Sequence, residues 1–241
     1  MLSLFADGKT TGTVLDCGEG ITHTVPIYEG YAIPFATTEI PICGKDLTNY
    51  MHKMLHVKNP NVIGGGSSDI EQCENIKVEH GQVAIDFDAE MKSANEINSN
   101  AERKYMLPSG HYITIREERL KCPELLFVPT MAENLGADGI HKHTYDSIMK
   151  CNIDIRRDLF RNIVLAGGCT MFKGIKSRMT KEIQALAASP MKPEVFSPAD
   201  RKHSCWLGGA ILSQMKKFDN IWITKKEFDE EGKSIVHKKC F

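Results

Sequence analysis

The residues best suited to chemistry lie in one short stretch, Leu15-Asp16-Cys17-Gly18-Glu19-Gly20-Ile21-Thr22-His23. Gly18 and Gly20 are one residue apart, with Asp16 and Glu19 beside them and His23 just beyond. Glycines admit positive φ and let the backbone come close to a ligand. A turn whose N–H groups point the same way is an anion nest, suited to phosphate. Asp16, at a strand end, could hold magnesium through water, because that ion prefers oxygen ligands and keeps several waters. Taken without its surroundings, the same stretch is an ordinary β-hairpin with a glycine-rich loop. A second candidate is Leu165-Ala166-Gly167-Gly168-Cys169-Thr170-Met171-Phe172-Lys173-Gly174. A strand running into a glycine pair and then a helix puts free N–H groups at the helix start, where phosphate is favoured. A tight strand–helix turn in any α/β domain has the same signature. His52 and His56 are four apart and could share a metal, but no Glu stands beside His52 as in a zinc protease, and a solvated helix face is the simpler reading.

The elements that must position these residues follow from periodicity. Residues 1 to 45 read as strands with tight turns at Asp7-Gly8 and at Gly18 to Gly20. These strands are expected to lack neighbours, so that residues 47 to 127 hold together better than they do. Asp46 to Leu55 reads as a helix, with apolar residues at helical spacing and an acid at its start. Asn59 to Asp69, with three consecutive glycines, reads as a flexible loop. Ile70 to Met91 reads as one helix in spite of Gly81. Residues 105 to 115 carry a hairpin signal around Pro108-Ser109-Gly110. Short helices are expected at 123–128, 144–151 and 155–160. A buried strand is expected at 162–166, a helix at 174–188, a short strand at 194–196 and a helix at 204–214. The order of strand, Gly-Gly turn, helix, strand and helix is an α/β pattern.

Composition narrows the class. The 241 residues are 41% hydrophobic and 25% charged, an ordinary globular balance. A net charge of -1 gives no general attraction to nucleic acid or to an anionic membrane. No run reaches membrane-spanning length, and the first residues are too short an apolar run for a signal peptide. The eight cysteines are scattered and form no C-x-x-C pair, so they read as reduced thiols of a cytoplasmic protein.

Set in their context, these stretches resemble actin. The resemblance starts at Ser3-Leu4-Phe5-Ala6-Asp7-Gly8-Lys9-Thr10-Thr11-Gly12. It runs through Thr22-His23-Thr24-Val25-Pro26-Ile27-Tyr28-Glu29-Gly30-Tyr31-Ala32, Ile76-Lys77, Asp86-Phe87, Gly167-Gly168 and Trp206-Leu207-Gly208-Gly209. It ends at Ser234-Ile235-Val236-His237-Lys238-Lys239-Cys240-Phe241. It spans the chain and corresponds to about the C-terminal two-thirds of an actin, a judgement from motif order. It implies an α/β, actin-like ATPase (ribonuclease H-like) fold, incomplete at its start. Residues 1–45 and 128–241 would form large-subdomain core, and 46–127 a helical insertion like the small outer subdomain. It implies ATP or ADP with Mg2+ (or Ca2+) as cofactor. Gly18, Glu19 and Gly20 would be a phosphate hairpin, Asp16 the acid near the metal and its waters, and His23 the histidine that helps position the attacking water. Gly167, Gly168, Cys169, Met171 and Phe172 would form the adenosine turn, with Lys77 and Lys202 beside the adenine. Phe5, Tyr28, Tyr31, Leu212 and Met215 would line an apolar groove for actin or actin-binding proteins. The family role is ATP-regulated filament formation in the cytoplasmic cytoskeleton.

Departures from the pattern set further expectations. Val78 stands where actins carry a glutamate on the ribose hydroxyls, and valine cannot accept a hydrogen bond. Glu19 replaces an aspartate, and Cys17 a small polar residue. Glu133 and Asn134 fall within what is an apolar plug in actins, and Glu39 replaces an arginine on a surface used for subunit contacts. The first phosphate hairpin and the water-orienting glutamine have no counterpart in these residues. Weak nucleotide binding, little or no hydrolysis and no self-assembly alone are therefore expected. The alternatives are a non-polymerising, non-hydrolysing interaction module and a degenerate gene product.

Overall fold

The computed structural model describes residues 1–96, 102–133, 135–136, 138–216, 218 and 222–239. Helix α1 is Leu2–Ala6. Strands β1 (Gly12–Cys17), β2 (Thr22–Tyr28), β3 (Tyr31–Ala32) and β4 (Thr38–Ile40) follow. Helices α2 (Gly44–Lys58), α3 (Ser67–His80) and α4 (Phe87–Asn95) come next. A hairpin of β5 (Arg103–Met106) and β6 (Tyr112–Ile115) precedes α5 (Glu118–Glu124). Then come α6 (Ile140–Lys150), α7 (Ile153–Arg161), β7 (Ile163–Ala166), α8 (Ile175–Leu186) and β8 (Val195–Phe196). Helices α9 (Ser204–Ser213), α10 (Lys225–Glu231) and α11 (Ile235–Lys239) complete the described chain.

Six strands form one mixed sheet in the order β3-β2-β1-β7-β8, with β4 also on β2. β1 runs antiparallel to β2 and parallel to β7, and β7 runs parallel to β8. Both sheet faces are covered, so β1 and β7 are buried along nearly their whole length. On one face Leu15, Cys17, Ile163 and Leu165 join the main apolar cluster, which continues through Leu47, Met51, Ile76, Ile113 and Met179. On the other face Leu4, Val14, Ile27, Val164 and Ala166 form a smaller cluster under α1.

Several expectations need correction. The first residues are helical at Leu2–Ala6 rather than extended, and α1 packs on α9, where a Cβ at Gly208 would overlap the Leu2 carbonyl. β1 does not lack neighbours; it lies at the sheet centre between β2 and β7. The long helix expected over 70–91 is two helices, because α3 ends at Gly81. A Cβ at Gly81 would sit 2.5 Å from the Phe172 ring, so the close approach of that ring requires glycine. The helix expected at 123–128 begins earlier, at Glu118, and Pro123 falls in its last turn. The glycine-rich loop is pinned: His52 Nε2 bonds the Gly64 carbonyl and His56 Nδ1 the Ile63 carbonyl, both at 2.6 Å. Asp69 accepts from the Gly64 and Gly66 amides. The two histidines thus serve the loop, with rings stacked 5.9 Å apart. In the apolar-plug region, Met131, Ala132 and Leu135 pack back on the main cluster, and Glu133 pairs with Lys53 in solvent. Asn134 lies outside the described residues, as do Cys240 and Phe241.

Candidate functional site

The β1–β2 hairpin is built from a strict register. Asp16 stands opposite His23 and Cys17 opposite Thr22, and the Gly18 amide closes the turn on the Ile21 carbonyl at 3.0 Å. The hairpin tip docks on the start of α2. The Gly44 and Lys45 amides donate to the Gly18 and Glu19 carbonyls, both at 2.9 Å, which satisfies N–H groups that a helix start leaves open. Gly44 suits this approach, since a Cβ there would lie 2.8 Å from the buried Cys169 Sγ and 3.0 Å from the Glu19 Cα.

Lys77 ties α3 to that junction. It is 3% exposed, and its Nζ donates to Thr48 Oγ1 at 2.7 Å, to the Gly44 carbonyl at 3.1 Å and to Glu19 Oε2 at 3.4 Å. A buried ammonium needs such partners. The turn after β7 supplies the opposite side. Gly167 adopts φ 86° and ψ 158°, a conformation open in practice to glycine alone. Arg201 locks this turn: its guanidinium donates to the Thr170 carbonyl at 2.8 and 3.1 Å, and its own carbonyl accepts from the Gly167 amide at 3.0 Å.

Between these parts lies a cavity of about 300 Å³, lined by Glu19, Glu74, Lys77, Val78, Gly168, Cys169, Met171, Phe172 and Lys202. It gathers most of the residues expected on the adenosine side from three separated stretches. A Cβ on Gly168 would meet nothing within 4 Å, so the backbone there faces open space. Phe172 is 8% exposed and presents a ring to the cavity. The charges of the lining balance, two carboxylates (Glu19 and Glu74) against two ammonium groups (Lys77 and Lys202), and Lys77 is already paired with Glu19. The lining therefore suits a flat, largely neutral ring system better than a cluster of phosphates.

Three groups of expected residues fall elsewhere. Gly18 and Gly20 belong to the hairpin but do not line the cavity, and the Gly18 amide is already used. Gly167 does not line the cavity either. Asp16 and His23 also lie outside the cavity, and Asp16 projects with Val14 and Ala166 toward the α1 face of the sheet. There His23 has Asp16 opposite it on β1 and Glu39 opposite it on β4. Glu39, read as a surface reversal, is thus a neighbour of the histidine. Among the described residues no group of three or more His, Cys, Asp or Glu could hold a metal directly. A metal at Asp16 would have to be held through water. Of the groove residues, Phe5 and Leu212 are half-buried, whereas Tyr28, Tyr31 and Met215 are exposed. Tyr28 and Tyr31 face each other across the β2–β3 turn.

Burial raises the Asp16 carboxyl above its ordinary value, and His23 only partly offsets it. A carboxyl raised in the folded state favours folding while protonated, and that advantage is lost as pH rises through the folded value. Asp16→Asn should therefore melt higher than the parent chain at pH 7, and the gap should close toward pH 3. Equal melting at pH 7 would contradict this.

Thr48, Glu74 and Arg201 are site residues that the sequence reading passed over. Glu74 had a signal, since it lies three residues before Lys77 on one helix and shares its face. Thr48 and Arg201 had none, because their roles depend on contacts distant in sequence.

The fold is an α/β domain in which a glycine hairpin and a glycine turn flank one cavity, the plan of the actin-like class. The family model for actin matches residues 1–72 and 67–241, and the chain belongs to the actin family. Among the described residues, no helix is long and apolar enough to cross a membrane.

Proposed function

We propose that the chain binds an adenine nucleotide, ATP or ADP with a divalent metal, in the cavity between the hairpin tip, α3 and the Gly167-Gly168 turn. The observation that carries this reading is the convergence of Lys77, Gly168, Phe172 and Lys202 on one cavity, in a chain of a family that binds nucleotide with a divalent metal. In this reading residues 46–127 form one wall and residues 1–45 and 128–241 the other. Phe172 packs against the base, the open backbone at Gly168 admits the sugar, and Lys202 offers the exposed cation. Lys77 holds the hairpin tip in place rather than meeting the ligand with a free charge. The metal, when bound, would neutralise phosphate charge, and Asp16, which lies outside the cavity, could reach it only through water. Asp16 and His23 lie apart from the cavity, so hydrolysis by these residues is expected to be very weak.

Val78 gives the sharpest test. It lines the cavity and is 71% exposed, so a longer polar side chain fits without disturbing the core. Val78→Glu should restore an acceptor for the ribose hydroxyls. A hydrogen bond of about 0.5–1.5 kcal/mol corresponds to a gain of roughly 2- to 12-fold in affinity for Mg-ATP. Calorimetric titration would measure it, and an unchanged or weakened affinity would count against this placement of the ribose. A cytoskeletal role with actin or actin-binding proteins, through the face of Phe5, Tyr28, Tyr31, Leu212 and Met215, belongs to the same reading. The support there is the exposed apolar surface of Tyr31 (64%) on β3 and of Met215 (46%) just after α9.

A further inference from the structure

The cysteines, read from sequence as scattered, include two that meet. Cys17 ends β1 on the main core face and is wholly buried. Cys169 follows the Gly167-Gly168 turn, is 6% exposed and forms part of the cavity wall. Cys169 Sγ donates to the carbonyl of Gly18, the residue after Cys17, at 3.4 Å. That bond sets Cys169 Sγ beside the backbone leaving Cys17, so the two side chains are neighbours. Gly44 makes the room, since a Cβ there would lie 2.8 Å from Cys169 Sγ.

The two sulfurs are not equivalent. The neighbouring Cys169 thiol and burial hold the Cys17 thiol well above its ordinary range, although Thr22 Oγ1 donates to its sulfur at 3.2 Å. The neighbouring Cys17 thiol and the nearby Lys77 ammonium hold the Cys169 thiol below its ordinary range, against burial. The thiolate is the reactive form. Cys169 is thus both the readier nucleophile and the thiol reachable from the cavity.

We propose that Cys17 and Cys169 form a redox-active pair whose disulfide ties the β1–β2 hairpin to the Gly167-Gly168 turn. The oxidant is a hydroperoxide, with hydrogen peroxide the simplest that fits the cavity. Cys169 attacks one peroxide oxygen, the O–O bond breaks, and the leaving hydroxide takes a proton to become water. Cys169 is then a sulfenic acid. Cys17 attacks that sulfur, the S–O bond breaks, and the hydroxide leaves with the Cys17 proton as a second water. Two thiols and one peroxide give one disulfide and two waters, and the two electrons lost by sulfur reduce the peroxide. The disulfide replaces the Cys169–Gly18 hydrogen bond and fixes hairpin and turn at one spacing. Its effect on a ligand rests on the nucleotide reading above, whereas the pair itself does not.

The test treats the full chain with an equimolar amount of hydrogen peroxide, blocks free thiols and maps peptides without reductant. The expected product is one linked peptide pair carrying Cys17 and Cys169, lost on reduction, with the other cysteines blocked as thiols. With Cys17→Ser, and with Cys17→Ala should the first variant fold poorly, a dimedone adduct should appear on Cys169 instead. A linkage between other cysteines, or a Cys169 left unmodified while others oxidise, would overturn the pair. A second measurement compares Mg-ATP binding before and after oxidation. The oxidised chain should bind about fivefold or more weakly, with recovery on reduction. Equal binding by the two forms would overturn the regulatory effect. A reduced chain that binds no Mg-ATP would count against the nucleotide reading alone, and the linked peptide would still decide the pair.

Discussion

Arg178→Ala should cost about 3–5 kcal/mol of folding stability, because it strands a buried carboxylate. Glu124 is 1% exposed, and its two oxygens accept from the Arg178 guanidinium at 2.7 and 3.0 Å. The same guanidinium donates to the Ala84 carbonyl at 2.8 Å and to Glu182 at 2.6 Å, and it lies 4.7 Å from the centre of the Phe127 ring. Burial pushes the Glu124 carboxyl up even with its partner present. Burial opposes the charged Arg178 too, but its bonds to Glu124 and Glu182 outweigh that and hold it above its ordinary range. The pair joins α5 and the segment before α4 to α8. With total stability of about 5–15 kcal/mol for a typical domain, such a loss approaches global unfolding. Urea unfolding would measure it. Replacing both members, Arg178→Met with Glu124→Leu, should recover most of the loss. A single-variant cost below about 1 kcal/mol, the range of exposed ion pairs, would contradict the account.

The second large effect falls on the turn. Gly167→Ala places a side chain at φ 86° and ψ 158°, a strain of about 1–3 kcal/mol before any contact is counted. The added Cβ would also overlap the Cys17 carbonyl and come within 2.6 Å of Asp16 Oδ1. Relief requires β1 and the turn to separate, which moves the hairpin away from the cavity wall. Gly167→Ala should therefore lower the melting temperature and weaken Mg-ATP binding together. Gly168→Ala is the control for stability alone, since its Cβ meets no protein atom within 4 Å. If the two variants melted alike, the turn would not be a fixed support.

The fold class was legible because the α/β order is written in local patterns. β7 is a short apolar run that stops at a glycine pair, and α8 has a clean helical stripe. The break in the 70–91 helix was not legible, because it depends on Phe172, a residue remote in sequence that occupies the space beside Gly81. The residues expected on the adenosine side were named from family resemblance, and most of them line one cavity. Lys77 was placed at the site, but its bonds to Thr48, Gly44 and Glu19 arise from helix packing that no motif encodes. The same holds for Glu39 beside His23, where register across three strands decides the neighbour.

The claim that the cavity is the nucleotide site is tested most directly by titrating Mg-ATP calorimetrically into the parent chain and into Gly168→Leu. A Cβ there meets nothing within 4 Å and the residue lines the cavity, so the larger side chain should occupy ligand space at little cost to folding. The account predicts saturable, single-site binding by the parent, and binding at least about tenfold weaker in the variant, a difference of about 1.4 kcal/mol. No saturation by the parent, or equal binding by a correctly folded Gly168→Leu, would contradict it.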